Sequence, residues 1–318
     1  MGKQRARASF AVIILALFAS ASVARAQESP AGQAAPVTSR SLPEGIFGPH
    51  AGPPVGLTLG FEQAFKATFA DYPGHLSIDR ELATAWTAVG ADPVFVKIEL
   101  DTEISNYRWD DVQRLLPGTD NPVPETLCQL QAAPKVYALL GDWTLYVAPS
   151  LMFAGAFDSP VGKSLRYGLD LAGRYAVSSD LKLTFGLGTI TRLETHPLFY
   201  PILGIEYGRF AVDLQGATLK TRFTAIPDVL DVRAALWVDV RDYRLPHGVP
   251  DGNGVLHDTD TRLTIGFAWK PVKGVEIDLD AGSVLYRNLL FDDHVGNVVT
   301  RAHTNPALFL GFQVAIQL

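Results

Sequence analysis

Charged residues recur at every second position along much of this chain. Lys97, Glu99, Asp101 and Glu103 form one such series, and Arg166, Asp170 and Arg174 form another. Arg233, Asp239 and Arg241 follow the same spacing, as do Glu276, Asp278 and Asp280. Lys182, Arg192, Arg262 and Lys270 sit at matching positions in their own segments. A period of two places all of these on one face of extended chain. A charged face repeated over many segments has two uses. It can line a water-filled pore and set its ion preference, or opposite charges can pair across strands and close the interior. The signs here are mixed, so both uses stay open, and a lining selective for one sign of ion is not expected.

Other chemistry finds less support. A hydrolase needs a nucleophile and a base within hydrogen-bond reach. The histidines His196, His247, His257, His294 and His303 all sit in or beside expected loops, and none lies in a hydrolase-like motif. They read as exposed loop residues, and the chain reads as a non-enzyme. Residues 251–260 space oxygen ligands in a manner loosely like a calcium loop, but the remaining ligand spacing and the distal Glu are missing. Gly252-Asn253-Gly254 is more simply a turn. Cys128 is the single cysteine, in a Pro-rich stretch, so no intrachain disulfide forms and no redox or metal motif exists. No cofactor is implied.

The charged positions must be held by strands. Between Thr259 and Lys270, Thr261, Leu263, Ile265, Phe267 and Trp269 share one face while Asp260, Arg262, Thr264 and Lys270 share the other. Residues 271–274 then make a turn, and Val275, Ile277 and Leu279 alternate with Glu276, Asp278 and Asp280, which is a hairpin. The same grammar predicts strands at roughly 57–69, 75–88, 94–108, 133–140, 143–157, 164–177, 180–194, 199–207, 209–215, 217–225, 229–245, 257–270, 274–291 and 306–318. That makes fourteen; the weak members are 57–69 and the short pair 209–215 and 217–225, which could be one bent strand, so twelve is the other even count. Short and long connections mostly alternate, with the long ones near 109–132, 158–163, 246–256 and 292–305.

Residues 1–26 read as a cleavable secretory signal: Lys3, Arg5 and Arg7 precede the apolar run Phe10 to Val23, and Ala24-Arg25-Ala26 fits the cleavage pattern. Residues 27–54 are a Pro, Gly and Ala-rich flexible leader, and 55–318 carry the fold. The whole chain of 318 residues holds 33 Asp+Glu against 27 Lys+Arg. Without the signal, 23 basic residues face 33 acidic ones, a formal charge of −10. An acidic exported chain does not suit nucleic acid. No later stretch reaches the roughly 18 to 20 apolar residues of a spanning helix. The strands exceed the roughly 5 to 6 residues usual in soluble sandwiches, and only a closed sheet can cross hydrocarbon by strands. The expected fold is therefore all-β, a closed antiparallel up-and-down transmembrane barrel of 12 or 14 strands in the bacterial outer membrane. Trp86, Tyr107, Trp109, Trp143, Tyr243, Trp269 and Tyr286 fall near strand ends, as interfacial girdles would.

The final segment, Ala307 to Leu318, resembles the terminal strand of outer-membrane barrels, although such strands usually end in an aromatic and this one ends in Leu318. Tyr200-Pro201-Ile202-Leu203-Gly204-Ile205-Glu206-Tyr207, with the hairpin from Thr259 to Leu290, is similar to an uncharacterised family of porin-like outer-membrane barrels. The resemblance covers about residues 57–318 and implies a fold but no reaction. The expected role is a passive channel or structural envelope protein. The rival readings are an outer-membrane hydrolase and a soluble exported β-barrel binder. Expected partners are outer-membrane lipid and the barrel-assembly machinery during insertion. The sequence carries no signal for oligomeric state.

Overall fold

The computed structural model describes residues 55–110, 115–116, 124–247 and 253–317. The signal, the leader and parts of two long connections (111–114, 117–123 and 248–252) lie outside the described residues.

Alternation becomes strand. In chain order these are β1 (Val55–Thr68), β2 (His75–Ala91), β3 (Val94–Asp110), β4 (Thr126–Leu140) and β5 (Trp143–Gly155). Then come β6 (Leu165–Ala176), β7 (Leu181–Ile190), β8 (Leu198–Tyr207), β9 (Phe210–Gln215) and β10 (Thr218–Ile226). The last are β11 (Leu230–Arg244), β12 (Val255–Val272), β13 (Val275–Asp292), β14 (Val298–Thr304) and β15 (Ala307–Gln317). From β1 to β13 each strand pairs antiparallel with the next. β14 covers Arg287–Asp292 of β13, and β15 covers Val275–Val284. The two are successive halves of one wall, parted at Asn305-Pro306, where proline lacks the N–H a ladder needs. β13 skips a residue opposite this break, its register jumping from Tyr286 to Val284. β15 then pairs with β1 from Gly56↔Gln317 to Ala64↔Phe309 and closes the sheet. The result is a closed fourteen-stranded barrel.

The sequence reading and the structure differ at a few places. The weak strand at 57–69 is a full wall strand, β1, and β9 and β10 are two separate strands joined by Gly216-Ala217, which together settle the count at fourteen rather than twelve. β4 starts at Thr126, so Cys128 is buried in a strand, its Sγ 3.2 Å from the Gly155 carbonyl oxygen, and not in a loop. β14 has no counterpart among the expected strands, because Asn-Pro normally ends a strand. It forms because the upper half of the 18-residue β13 needs a partner there.

One end of the barrel carries the tight connections at Asp92-Pro93, Gly141-Asp142, Gly208-Arg209 and Lys273-Gly274; we call it the turn end. Gly141 and Gly208 sit at φ +61° and +56°, backbone a Cβ would oppose, and this lets each chain reverse within two residues. The other, loop end carries the long connections after β3, β5, β7 and β11. The walls are unequal in height. β9 has 6 residues and β10 has 9, whereas β12 and β13 each have 18. The β10–β11 ladder stops at Leu219↔Leu236, and β11 runs on toward the loop end paired with β12 alone. There Arg244 meets Gly155 of β5 in a parallel bridge, and the Ala156 N–H donates to the Arg244 carbonyl at 2.9 Å. The tall strands thus draw together above the short ones and leave a bay over β6–β10.

Candidate functional site: a lumen sealed on one side and open on the other

Along most strands large apolar side chains recur at alternate positions and face outward. On β12 these are Leu263, Ile265, Phe267 and Trp269, and on β15 Leu308, Leu310, Phe312 and Ile316, all exposed. An apolar surface of this extent around a whole barrel is far beyond what a soluble protein shows. Of the expected girdle aromatics, Trp143, Trp269 and Tyr286 are exposed on this surface. Tyr107 and Tyr243 instead turn inward and are fully buried, and Trp86 lies under the Lys97 ammonium. Strand-end position alone does not tell the two faces apart.

Inside the tall half, charges pair across the lumen. Arg80 on β2 is fully buried, with Asp258 and Asp260 of β12 at 3.4 and 3.5 Å and Glu103 of β3 at 3.6 Å. Arg287 binds the same two aspartates at 3.2 and 2.8 Å. Arg241 of β11 reaches Glu103 at 2.9 Å, and Arg262 reaches Glu62 and Asp260, each at 2.9 Å, and Asp239 besides. Four guanidiniums thus meet five carboxylates, so the cluster is close to neutral. The Tyr107 hydroxyl donates to Asp258 at 2.7 Å and the Tyr243 hydroxyl to Glu103 at 2.9 Å. Toward the loop end an apolar cap covers this cluster. Trp109 stacks on Tyr107 and Phe69, and Leu76, Leu115, Leu256 and Phe291 fill the space around them. This half is sealed.

A second buried knot ties the tall strands to the short ones. Asp242 accepts from Arg192 at 2.8 and 3.1 Å, lies 3.6 Å from Arg166, and bonds His257 Nδ1 at 2.6 Å. His257 Nε2 lies 3.1 Å from Asp292. His257, the first residue of the expected strand 257–270, is therefore buried and not exposed as expected. With carboxylates on both ring nitrogens it has no nitrogen left to take a proton from a nucleophile. His196 and His247 are exposed, and His303 meets Asp71 at 2.7 Å. The oxygen-rich stretch read as a weak calcium loop is in its second half the start of β12, with Asp258 and Asp260 held by arginines. Among the described residues no group of three or more ligands is arranged to hold a metal.

The open side begins as a cavity of about 910 Å³ bounded by β4–β6, β8–β10 and the lone upper edge of β11. Gly188 has no side chain here, and this allows the Tyr200 ring to lie over it and donate to Asp170 at 2.6 Å. Toward the turn end lies a second cavity of about 450 Å³, lined by Glu62, Arg222, Arg233, Glu276 and Asp280 among others. Asp213, Lys220 and Trp237 belong to the walls of both. A smaller chamber of about 230 Å³ adjoins them below the seal, beside Asp101 and Glu103.

The seventeen charged positions read from the sequence divide between these regions. Glu103, Asp239, Arg241 and Arg262 belong to the seal, and Arg166 and Arg192 to the knot, Arg192 just beyond the end of β7. Lys97 and Glu99 pair at 2.7 Å, Asp101 accepts from Thr84 at 2.7 Å, and Arg174 pairs with Glu206. Arg233 binds Glu276 and Asp278, and Lys270 lies 3.1 Å from Asp231. Asp170 faces the larger cavity, while Lys182 stands opposite Glu206 and Asp280 opposite Gly266 in register. The sequence reading misses Arg80, Asp258, Arg287, Lys220 and Asp213, and it puts Asp260 on the polar face without counting it among the lumen charges. Arg80 and Asp213 are discoverable by parity, since each lies an even number of residues from other inward side chains of its own strand.

No protein-family model matches the chain, and no characterised protein matches it by sequence. Solved structures do. The TodX monoaromatic hydrocarbon channel, as a deltaS2 mutant, is similar at TM-score 0.48 and 10% identity, over 84% of this chain and 90% of that one. An outer-membrane channel from Pseudomonas putida F1 is similar at TM-score 0.47 and 9% identity, over 89% and 99%. The KdgM porin is similar at TM-score 0.32 and 11% identity, over 82% and 99%. The closed barrel itself rests on the strand pairing described above.

Proposed function

We propose that this chain is an exported outer-membrane β-barrel that passes small polar solutes through an off-centre channel. The observation that carries the reading is the contact between the two lumen cavities, about 910 and 450 Å³, which share Asp213, Lys220 and Trp237 as walls. Together they run from the bay at the loop end toward the turn end, beside the sealed half. The apolar outer belt supports a place in lipid. On this reading residues 1–26 direct export and are removed, 27–54 form a leader on the periplasmic side, and the barrel-assembly machinery inserts residues 55–318. The loop end faces outward, following the rule that outer loops are long and periplasmic turns short.

The inward charges are then the pore lining where they face the open cavities and the seal where they pair across the tall half. The role is conduction and not catalysis, a reading supported by the occupancy of both His257 nitrogens. The test is conductance of the refolded mature protein in a planar bilayer, with heat-modifiable gel mobility as the sign of a folded barrel. Stable single-channel steps are expected. A folded barrel that never conducts would leave a structural envelope role, and a mature chain that dissolves without detergent would return the soluble binder.

A further inference from the structure

Most lumen charges neutralise one another in direct pairs; among the described residues Asp101, Asp170, Lys182 and Asp280 do not, and neither do Lys220 and Asp213, the two charged residues that line both cavities. Lys220 on β10 and Asp213 on β9 stand directly opposite in register, on the inner face. Among the described residues neither makes an ion pair, with the other or with any other group. Lys220 does not collapse onto Asp213 because its ammonium is drawn to an aromatic face, 4.1 Å from the centre of the Trp237 ring. That ring is itself anchored, its Nε1–H donating to Thr264 Oγ1 at 3.2 Å. The neighbouring charges are largely committed: Arg233 to Glu276 and Asp278, Arg262 to Glu62 and Asp260, and Arg174 to Glu206. Arg222 follows along the same face of β10. Asp280 lines the lower cavity but not the upper one. A positive and a negative group, held apart and open to the lumen, thus stand where the two cavities meet.

On the channel reading just given, we infer that Lys220, Asp213 and Trp237 form a filter for small zwitterionic solutes of the amino-acid type. A solute with a single charge finds one attractive and one repulsive partner at this junction. A zwitterion finds two attractive ones, its carboxylate toward the Lys220 ammonium and its ammonium toward the Asp213 carboxylate, and it brings no net charge into a confined space. Trp237 sets the separation of the two and offers a flat face beside them.

The test uses three solutes of nearly one size: alanine, its amide (a cation) and lactate, which carries a hydroxyl in place of the ammonium (an anion). Their uptake into proteoliposomes carrying the intact barrel is followed with radiolabel at a pH near 6. Alanine is expected to enter about fivefold faster than either analogue, the equivalent of about 1 kcal/mol. Lys220→Gln is expected to remove that preference and favour the cation; Asp213→Asn is expected to remove it and favour the anion. Equal uptake of all three by the wild-type barrel would overturn the filter whatever the variants do, as would a preference that survives both substitutions. Potassium chloride conductance of the same preparation is read in parallel. A barrel that conducts without preferring alanine loses only the filter, whereas one that neither conducts nor takes up any solute loses the channel reading with it.

Discussion

Arg80 and Asp258 are 178 residues apart in sequence and 3.4 Å apart in the lumen, and both are fully buried. Three wall segments lie between their strands, so this contact crosses the barrel interior. It joins β2 to β12 where no backbone hydrogen bond does.

That position makes Arg80 a test of the seal. Removing one member of a buried ion cluster leaves the others uncompensated, at a cost of about 3–5 kcal/mol. Arg80→Ala is expected to lower the stability of the refolded barrel in urea by that order and to raise its conductance, as water enters the tall half. A variant with wild-type stability and conductance would show that the cluster neither braces nor blocks the lumen.

The outer belt predicts a contrast between faces. Ile265 lies mid-strand on β12 and is 66% exposed. Ile265→Lys is expected to destabilise the barrel in lipid vesicles by about 2–4 kcal/mol, as charges do near the bilayer midplane. Thr184→Lys, on the inner face of β7, is expected to cost far less. Equal costs would mean that the belt does not face hydrocarbon.

Gly188 predicts a local effect. A Cβ there would collide with both the Tyr200 ring and the Asp170 carboxylate. Gly188→Ala is expected to push Tyr200 into the larger cavity and reduce conductance. Tyr200→Phe, which loses only the hydrogen bond, is expected to cost about 1 kcal/mol of stability and leave conductance near wild type. A Gly188→Ala barrel with unchanged conductance would place Tyr200 outside the route.

Cys128 is a built-in reporter. It is buried in β4 against Gly155. The folded protein is expected to resist a polar maleimide, and the heat-unfolded protein to react at one site per chain. Fast labelling of the folded form would mean that β4 frays where it meets β5.

Much of this architecture is legible locally. The spacing of Thr261, Leu263, Ile265, Phe267 and Trp269 is enough to mark an outer face, because side chains alternate across a strand and lipid requires one face to be apolar. The same parity puts Glu276, Asp278 and Asp280 inward. Parity fails where a side chain's neighbours come from distant strands. His257 stands at the edge of an expected loop, and only the fold brings Asp242 and Asp292 to either side of it. Tyr107 and Tyr243 have the strand-end positions of girdle residues, yet their rings meet edge to face across the lumen. β14 is hidden behind Asn305-Pro306 because only its pairing with β13 makes it a strand.

Local pattern along the chain is enough to specify an all-β closed barrel, its apolar outer and polar inner positions, and the small number of wall counts open to it, since period, strand length and turn chemistry are properties of neighbouring residues. Whether the inward charges pair or stay open to water is settled in three dimensions. It depends on strand height: the six-residue β9 and nine-residue β10 cannot reach as far as β11, so β11 leans across to β5, packs one half of the lumen shut and leaves the other half open. Distances between strands far apart in sequence set that outcome, and no local pattern encodes them.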